Sequence, residues 1–364
     1  MKKIALSLFI LITIVACTSS EESSSSVRND GFDRSAMLSN WANNSIIPAL
    51  QDLDQKLETL QEDKNTFIST VNQTNLEQLR TSWLEAYKVW QHVEMFNIGK
   101  AEEISYVFQM NVYPTNTQDI ESNIASQNYD LSAVGNNDAV GFPALDYMLF
   151  GLDTDNNAIL SKYNDANYVN YLNDLIDRMV NLNAIVLTDW QANYINTFTA
   201  STDNTSTSAV NKLTNDFIFY YEKGFRANKF GIPAGVFSGS TPLSEKVEGY
   251  YSKVYSKTLA LEAIDAVQNF FNGVSYDQLE TGSSFSSYLN YLNRQDLVTT
   301  ITTKLNNGRN KINTLQDNFY AQVTTDNTQM TETFDVLQLA VVSFKVDMLQ
   351  AFNINVDYVD ADGD

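Results

Sequence analysis

The chain is poor in the residues that most hydrolytic and metal chemistry needs. Its 364 residues include one cysteine, one histidine, 5 prolines and 14 glycines. One cysteine excludes an internal disulfide, and one histidine excludes a zinc site of the histidine-rich kind. A Ser-His-Asp or Cys-His centre would have to rest on His92 alone, because Cys17 stands in a leader-like segment. Basic residues are scarce as well: 23 lysines and arginines against 44 aspartates and glutamates, a formal charge of −21. A surface of that sign repels phosphate backbones, so no nucleic-acid partner is expected. No run alternates apolar and polar residues long enough to read as a strand.

What is present begins with a leader. Lys2 and Lys3 precede the apolar run Ile4 to Val15, so residues 1–16 read as a signal peptide, too short to span a membrane comfortably. Ile14-Val15-Ala16-Cys17 is similar to the lipobox of bacterial lipoproteins. That makes Cys17 the lipidated residue, the membrane a partner through its anchor, and the outer membrane (periplasmic or surface face) the expected location. Residues 17–33 form a polar tether too poor in apolar side chains to fold. Glu21-Glu22 resembles the acidic signals that send some lipoproteins to the cell surface, but a plain solvated linker is the preferred reading.

From Met37 onward the apolar spacing is 3 and 4, and all-α is the expected class, with two helical-bundle domains over 34–200 and 209–364. The Ser/Thr/Asn-rich run Thr199 to Ser208 separates them. Ile46, Leu50, Leu53, Leu57 and Leu60 mark one seam, and Leu76, Leu79, Trp83, Ala86, Trp90 and Val93 the next. On that second helix His92 falls on the outer side beside Glu85, whereas Glu94 falls at the edge of the buried stripe below Tyr87. Residues 99–140 read as irregular. Glu245 to Tyr255 reads as helical, with Glu248, Tyr251, Ser252 and Tyr255 on adjoining faces. Gly231-Ile232-Pro233-Ala234 repeats the start of an earlier Gly-x-Pro-Ala stretch and suggests an internal duplication. The tail Asp357 to Asp364 has no Gly or Glu where a calcium loop needs them, and reads as a solvated acidic end.

That earlier stretch, Gly141-Phe142-Pro143-Ala144-Leu145-Asp146-Tyr147-Met148-Leu149-Phe150-Gly151, organises the rest. Proline suits a first helical turn, and the aromatic and aliphatic residues step by 3 and 4, so a short buried helix is expected. Asp146 then stands in apolar surroundings. It needs hydrogen bonds, a cation or a metal, since an unpaired buried carboxylate costs several kcal/mol. Bracing of a neighbouring helix is the plain alternative.

These pieces resemble the imelysin family of bacterial envelope proteins over roughly Met37 to Asp364. The resemblance rests on Trp83, Tyr87, Trp90 and Glu94-x-Phe96-x-x-Gly99, on Gly141–Gly151, on Lys229-x-Gly231-Ile232-Pro233-Ala234-Gly235, on Glu248-x-x-Tyr251-Ser252 and on Asp362-Gly363-Asp364. It implies two helical bundles with a site between them built around a G-x-H-x-x-E motif, in a family named for a metallopeptidase activity and linked to iron uptake. Here the histidine position is Pro143 and the glutamate position Asp146, and proline has no lone pair for a metal. Catalysis is therefore not expected. The carboxylates of the matched segments, Glu94, Asp146 and Glu248, become the candidate metal or ligand residues, with Gly141, Pro143, Gly231, Pro233 and Ser252 as motif positions. An all-oxygen set suits iron, calcium or magnesium. Lys229 or Arg226 would instead neutralise one carboxylate and leave a structural network. The leading expectation is a non-catalytic envelope binding protein for a metal ion or small ligand, served by an envelope uptake partner. A metallopeptidase with an altered ligand set and an interaction scaffold are the alternatives.

Overall fold

The computed structural model describes residues 30–358. The expected signal peptide, Cys17, most of the expected tether and the last six residues of the acidic tail lie outside the described residues. Among those described, regular structure is helical throughout, apart from one isolated bridge between Val274 and Thr281.

Helix α1 covers residues 34–69. Pro48 sits inside it and removes one N–H. The helix widens over Trp41–Ile46, and the Asn44 carbonyl that Pro48 cannot serve accepts the Tyr276 N–H at 2.7 Å. After a short turn, Asn72 caps α2 (Gln73–Val93) by accepting the Asn75 N–H at 2.9 Å. The region expected to be irregular holds three short α-helices, α3 (Lys100–Glu103), α4 (Tyr106–Met110) and α5 (Thr117–Ser126), and a 3-10 helix over Val134–Ala139, each too brief to stand out in sequence. Helix α6 (141–151) is followed by α7 (Asn156–Lys162), α8 (166–200) and α9 (209–231). Beyond a long turn come α10 (Ser256–Asn272), α11 (Phe285–Tyr291), α12 (Gln295–Asn313) and α13 (319–352), the last bent at Asp326.

The apolar seams face inward as their spacing requires. Leu50, Leu53, Leu57 and Leu60 are buried, as are all four tryptophans, in a hydrophobic cluster that runs from Met37 to Ile354. Helix α1 packs on α2 and α8, and buried Lys64 ties α1 to α8 through Asp177 at 2.6 Å and Asn173 at 2.8 Å. The far side of α2 packs on α10, so α2 is covered on two faces.

One expectation is corrected. Beyond a single 3-10 turn over Ser244–Lys246, residues 247–255 are irregular rather than helical: Gly249 and Lys253 take positive φ, and the next α-helix starts at Ser256. The two Gly-x-Pro-Ala copies sit differently, since Gly141 opens α6 whereas Gly231 closes α9.

Candidate functional site

Helix α6 is placed by contacts that the bare backbone demands. Gly141 has φ of +74°, and a Cβ there would stand 2.2 Å from the Met110 carbonyl oxygen. Only glycine allows the chain leaving α4 to pass so close, and that passage delivers Asn111 to the interior. At the other end α6 widens over Tyr147–Gly151, freeing carbonyls. Arg80 donates to the Leu149 carbonyl through Nε at 2.9 Å and Nη2 at 2.6 Å, and Tyr163 donates to the Met148 carbonyl at 2.7 Å. Trp83 donates to the Phe142 carbonyl, and Tyr87 stacks on the Phe142 ring at 4.5 Å.

Asp146 leaves this helix and is 2% exposed. Its Oδ2 accepts the Tyr251 N–H at 2.8 Å and its Oδ1 the Ser252 N–H at 2.9 Å. That capture holds the 247–252 turn and explains why the segment is not helical. Burial pushes Asp146 up to about 6, against the lowering effect of those bonds.

The turn carries Glu248 inward to Lys229 of α9, at 2.5 Å from Nζ to Oε2, with 1% and 2% of the two side chains exposed. Lys229 also donates to Gln91 Oε1 at 2.8 Å. Gln91 and Asn111 donate to Glu248 Oε1 at 3.2 and 3.0 Å. Asn111 donates again to Glu94 Oε1 at 2.9 Å and accepts from the Tyr87 hydroxyl at 2.5 Å. Glu94 Oε2 is buried with no hydrogen-bond partner. Burial drives Glu94 up to about 7, Lys229 opposing and Glu248 adding to the rise.

The three candidate carboxylates thus lie in one neighbourhood, but not as a metal cage. Lys229 neutralises Glu248, backbone N–H groups occupy Asp146, and Pro143 offers no donor. No group of three histidine, cysteine, aspartate or glutamate side chains suited to a metal is found among the described residues. The donor set does not fit the metal site that the motif implies. Of the two cations weighed for pairing, Lys229 takes Glu248, while Arg226 donates to the Phe334 carbonyl at 3.4 Å and lies over that ring. Gly231 and Pro233 shape the turn after α9, where the Pro233 carbonyl accepts the Leu243 N–H. His92 lies on the side of Glu85, but that side is not an outer face: α10 covers it, Nε2 lies 3.1 Å from Glu262 Oε2, and Lys88 links Glu85 to the same Glu262.

Sequence reasoning missed Gln91 and Asn111. A signal for Gln91 was there, because Tyr87, Gln91 and Glu94 step by 4 and 3 and form a polar stripe beside the apolar one.

A cleft of about 230 Å³ opens over this region, lined by the 113–115 segment, Pro143, Asp146 and the 245–251 turn. Fold and site define an all-helical protein with a buried, charge-paired polar network beneath a surface cleft. The chain belongs to the imelysin family: the family model described as Imelysin matches residues 46–345. The fold is similar to a putative iron-regulated protein A precursor from Parabacteroides distasonis ATCC 8503, with TM-score 0.73 and 17% identity over 88% of this chain and 95% of that one. It is also similar to an imelysin-like protein from Psychrobacter arcticum 273-4, with TM-score 0.69 and 19% identity over 88% and 96% of the two chains. No curated protein matches the chain. No helix among the described residues is long and apolar enough to cross a membrane.

Proposed function

We propose that this imelysin is a non-catalytic, lipid-anchored binding protein of the bacterial envelope that takes a small ligand in the cleft above Asp146. One observation carries the reading: the motif carboxylates are committed to protein partners, Glu248 to Lys229 and Asp146 to two backbone N–H groups, while a cleft remains open beside them. The metal-dependent hydrolysis that the family motif implies needs an open metal position, and Pro143 stands where that motif has its histidine. The name of the Parabacteroides neighbour supports an iron-related role, such as service to an envelope uptake system, that does not require this chain to hold iron at the motif. Anchoring at Cys17 is supported by the lipobox-like Ile14-Val15-Ala16-Cys17.

The test is cleavage of an unfolded protein substrate by the full chain, with and without chelator. No cleavage in either condition is expected, and cleavage that chelator abolishes would overturn the reading. Membrane association is tested separately by Cys17→Ala, which should move the protein into the soluble fraction.

A further inference from the structure

The walls of the cleft say what chemistry it would recognise. Tyr113, Tyr250 and Tyr251 contribute aromatic surface, Pro143 an apolar face, and Asp146 and Glu245 two carboxylates; among the described residues no lysine, arginine or histidine lines it. Tyr251 meets Tyr147 at 5.1 Å and Tyr250 at 4.9 Å, and Tyr250 meets Tyr320 at 5.5 Å, so tyrosine rings continue from the cleft toward the exposed rim. The buried lysine of the polar network, Lys229, is spent on Glu248 and Gln91.

Resting on the reading of this cleft as the ligand site, we infer that its ligand is a small organic cation with an ammonium head. Aromatic faces attract such a head through the ring quadrupole, and most strongly where water is excluded. Each Asp146 oxygen accepts one backbone N–H and keeps a further lone pair. That suffices for an ammonium donor, whereas a hard metal ion would need six or more oxygens around it. An anionic ligand meets two carboxylates and no lining cation, and a neutral one gains nothing from the charge of Asp146 and Glu245. The volume, about 230 Å³, far exceeds the ~10–15 Å³ that a single water needs. The net charge of −21 also concentrates cations near the surface.

Calorimetry on the full chain at low ionic strength provides the test. Its probes are choline, the uncharged isostere 3,3-dimethyl-1-butanol, Ca²⁺ and Fe³⁺. Choline should bind at least about tenfold more tightly than the isostere. Tyr250→Leu should weaken choline by roughly 3- to 30-fold, and Glu245→Gln, at the exposed rim, by about 2- to 5-fold. Asp146→Asn should weaken it most; the two rim variants keep the test valid if that one misfolds. Equal binding of choline and isostere would overturn the inference while leaving the cleft as a ligand site. So would binding of an ion alone, abolished by Asp146→Asn. Silence from every probe would refute both the inference and the reading beneath it.

Discussion

Lys229→Met should be among the most damaging single changes that leave the apolar core intact, and its cost can be worked out. The variant keeps most of the side-chain volume but strands Glu248, which is 2% exposed. Breaking a buried pair by removing one partner costs about 3–5 kcal/mol. Gln91 and Asn111 still reach Glu248 Oε1, so the loss should fall at the lower end of that range. Urea unfolding followed through the four buried tryptophans should therefore show about 3–4 kcal/mol lost. Lys229→Met combined with Glu248→Met should recover to within about 1 kcal/mol of the parent, since no charge is then left unpaired. A loss below about 1 kcal/mol, or a double variant no more stable than Lys229→Met alone, would refute the account of Lys229 as the neutralising partner.

Other consequences follow from the same geometry. Gly141→Ala combines positive φ with a Cβ against the Met110 backbone, and should cost about 2–4 kcal/mol in urea unfolding; a loss under 1 kcal/mol would mean that α4 yields easily. Burial pushes Asp216 up to about 8, with Glu102 adding to the rise, and Glu94 up to about 7. For each, the folded state keeps a proton that the unfolded chain has released, so their contribution is greatest near pH 4 and declines as pH rises toward 8. Melting scans of Asp216→Asn should show a flatter decline than the parent, and an unchanged slope would remove Asp216 from the account. His92→Ala deletes a half-buried contact to Glu262, and should cost less than about 1 kcal/mol and leave choline binding unchanged. A large effect on ligand binding would make the lone histidine part of the site after all.

The seams were legible because helix burial follows a local period: steps of 3 and 4 from Ile46 to Leu60 suffice to bury one face of α1. The polar network was legible only in part, for a physical reason. Glu94, Asp146 and Glu248 stood out as carboxylates in apolar company, but what satisfies them is not local. Asn111 arrives because Gly141 lets a backbone pass, and Gln91 is buried because α10 covers the second face of α2. The 245–255 segment carries a helical spacing, yet Asp146, more than a hundred residues earlier, takes its N–H groups and holds it as a turn. Lys229 and Arg226 are three residues apart on α9, on one face by spacing alone. The widened turns of Tyr220–Gly231 are compatible with their divergence, Lys229 meeting Glu248 and Arg226 meeting Phe334. Choosing between them therefore requires the path of the whole helix. The proline in place of the motif histidine is the exception, since its chemistry can be read from one letter. Its consequence could not be: without the histidine's lone pair the surrounding carboxylates must be answered by something else, and Lys229 and two backbone amides supply that answer.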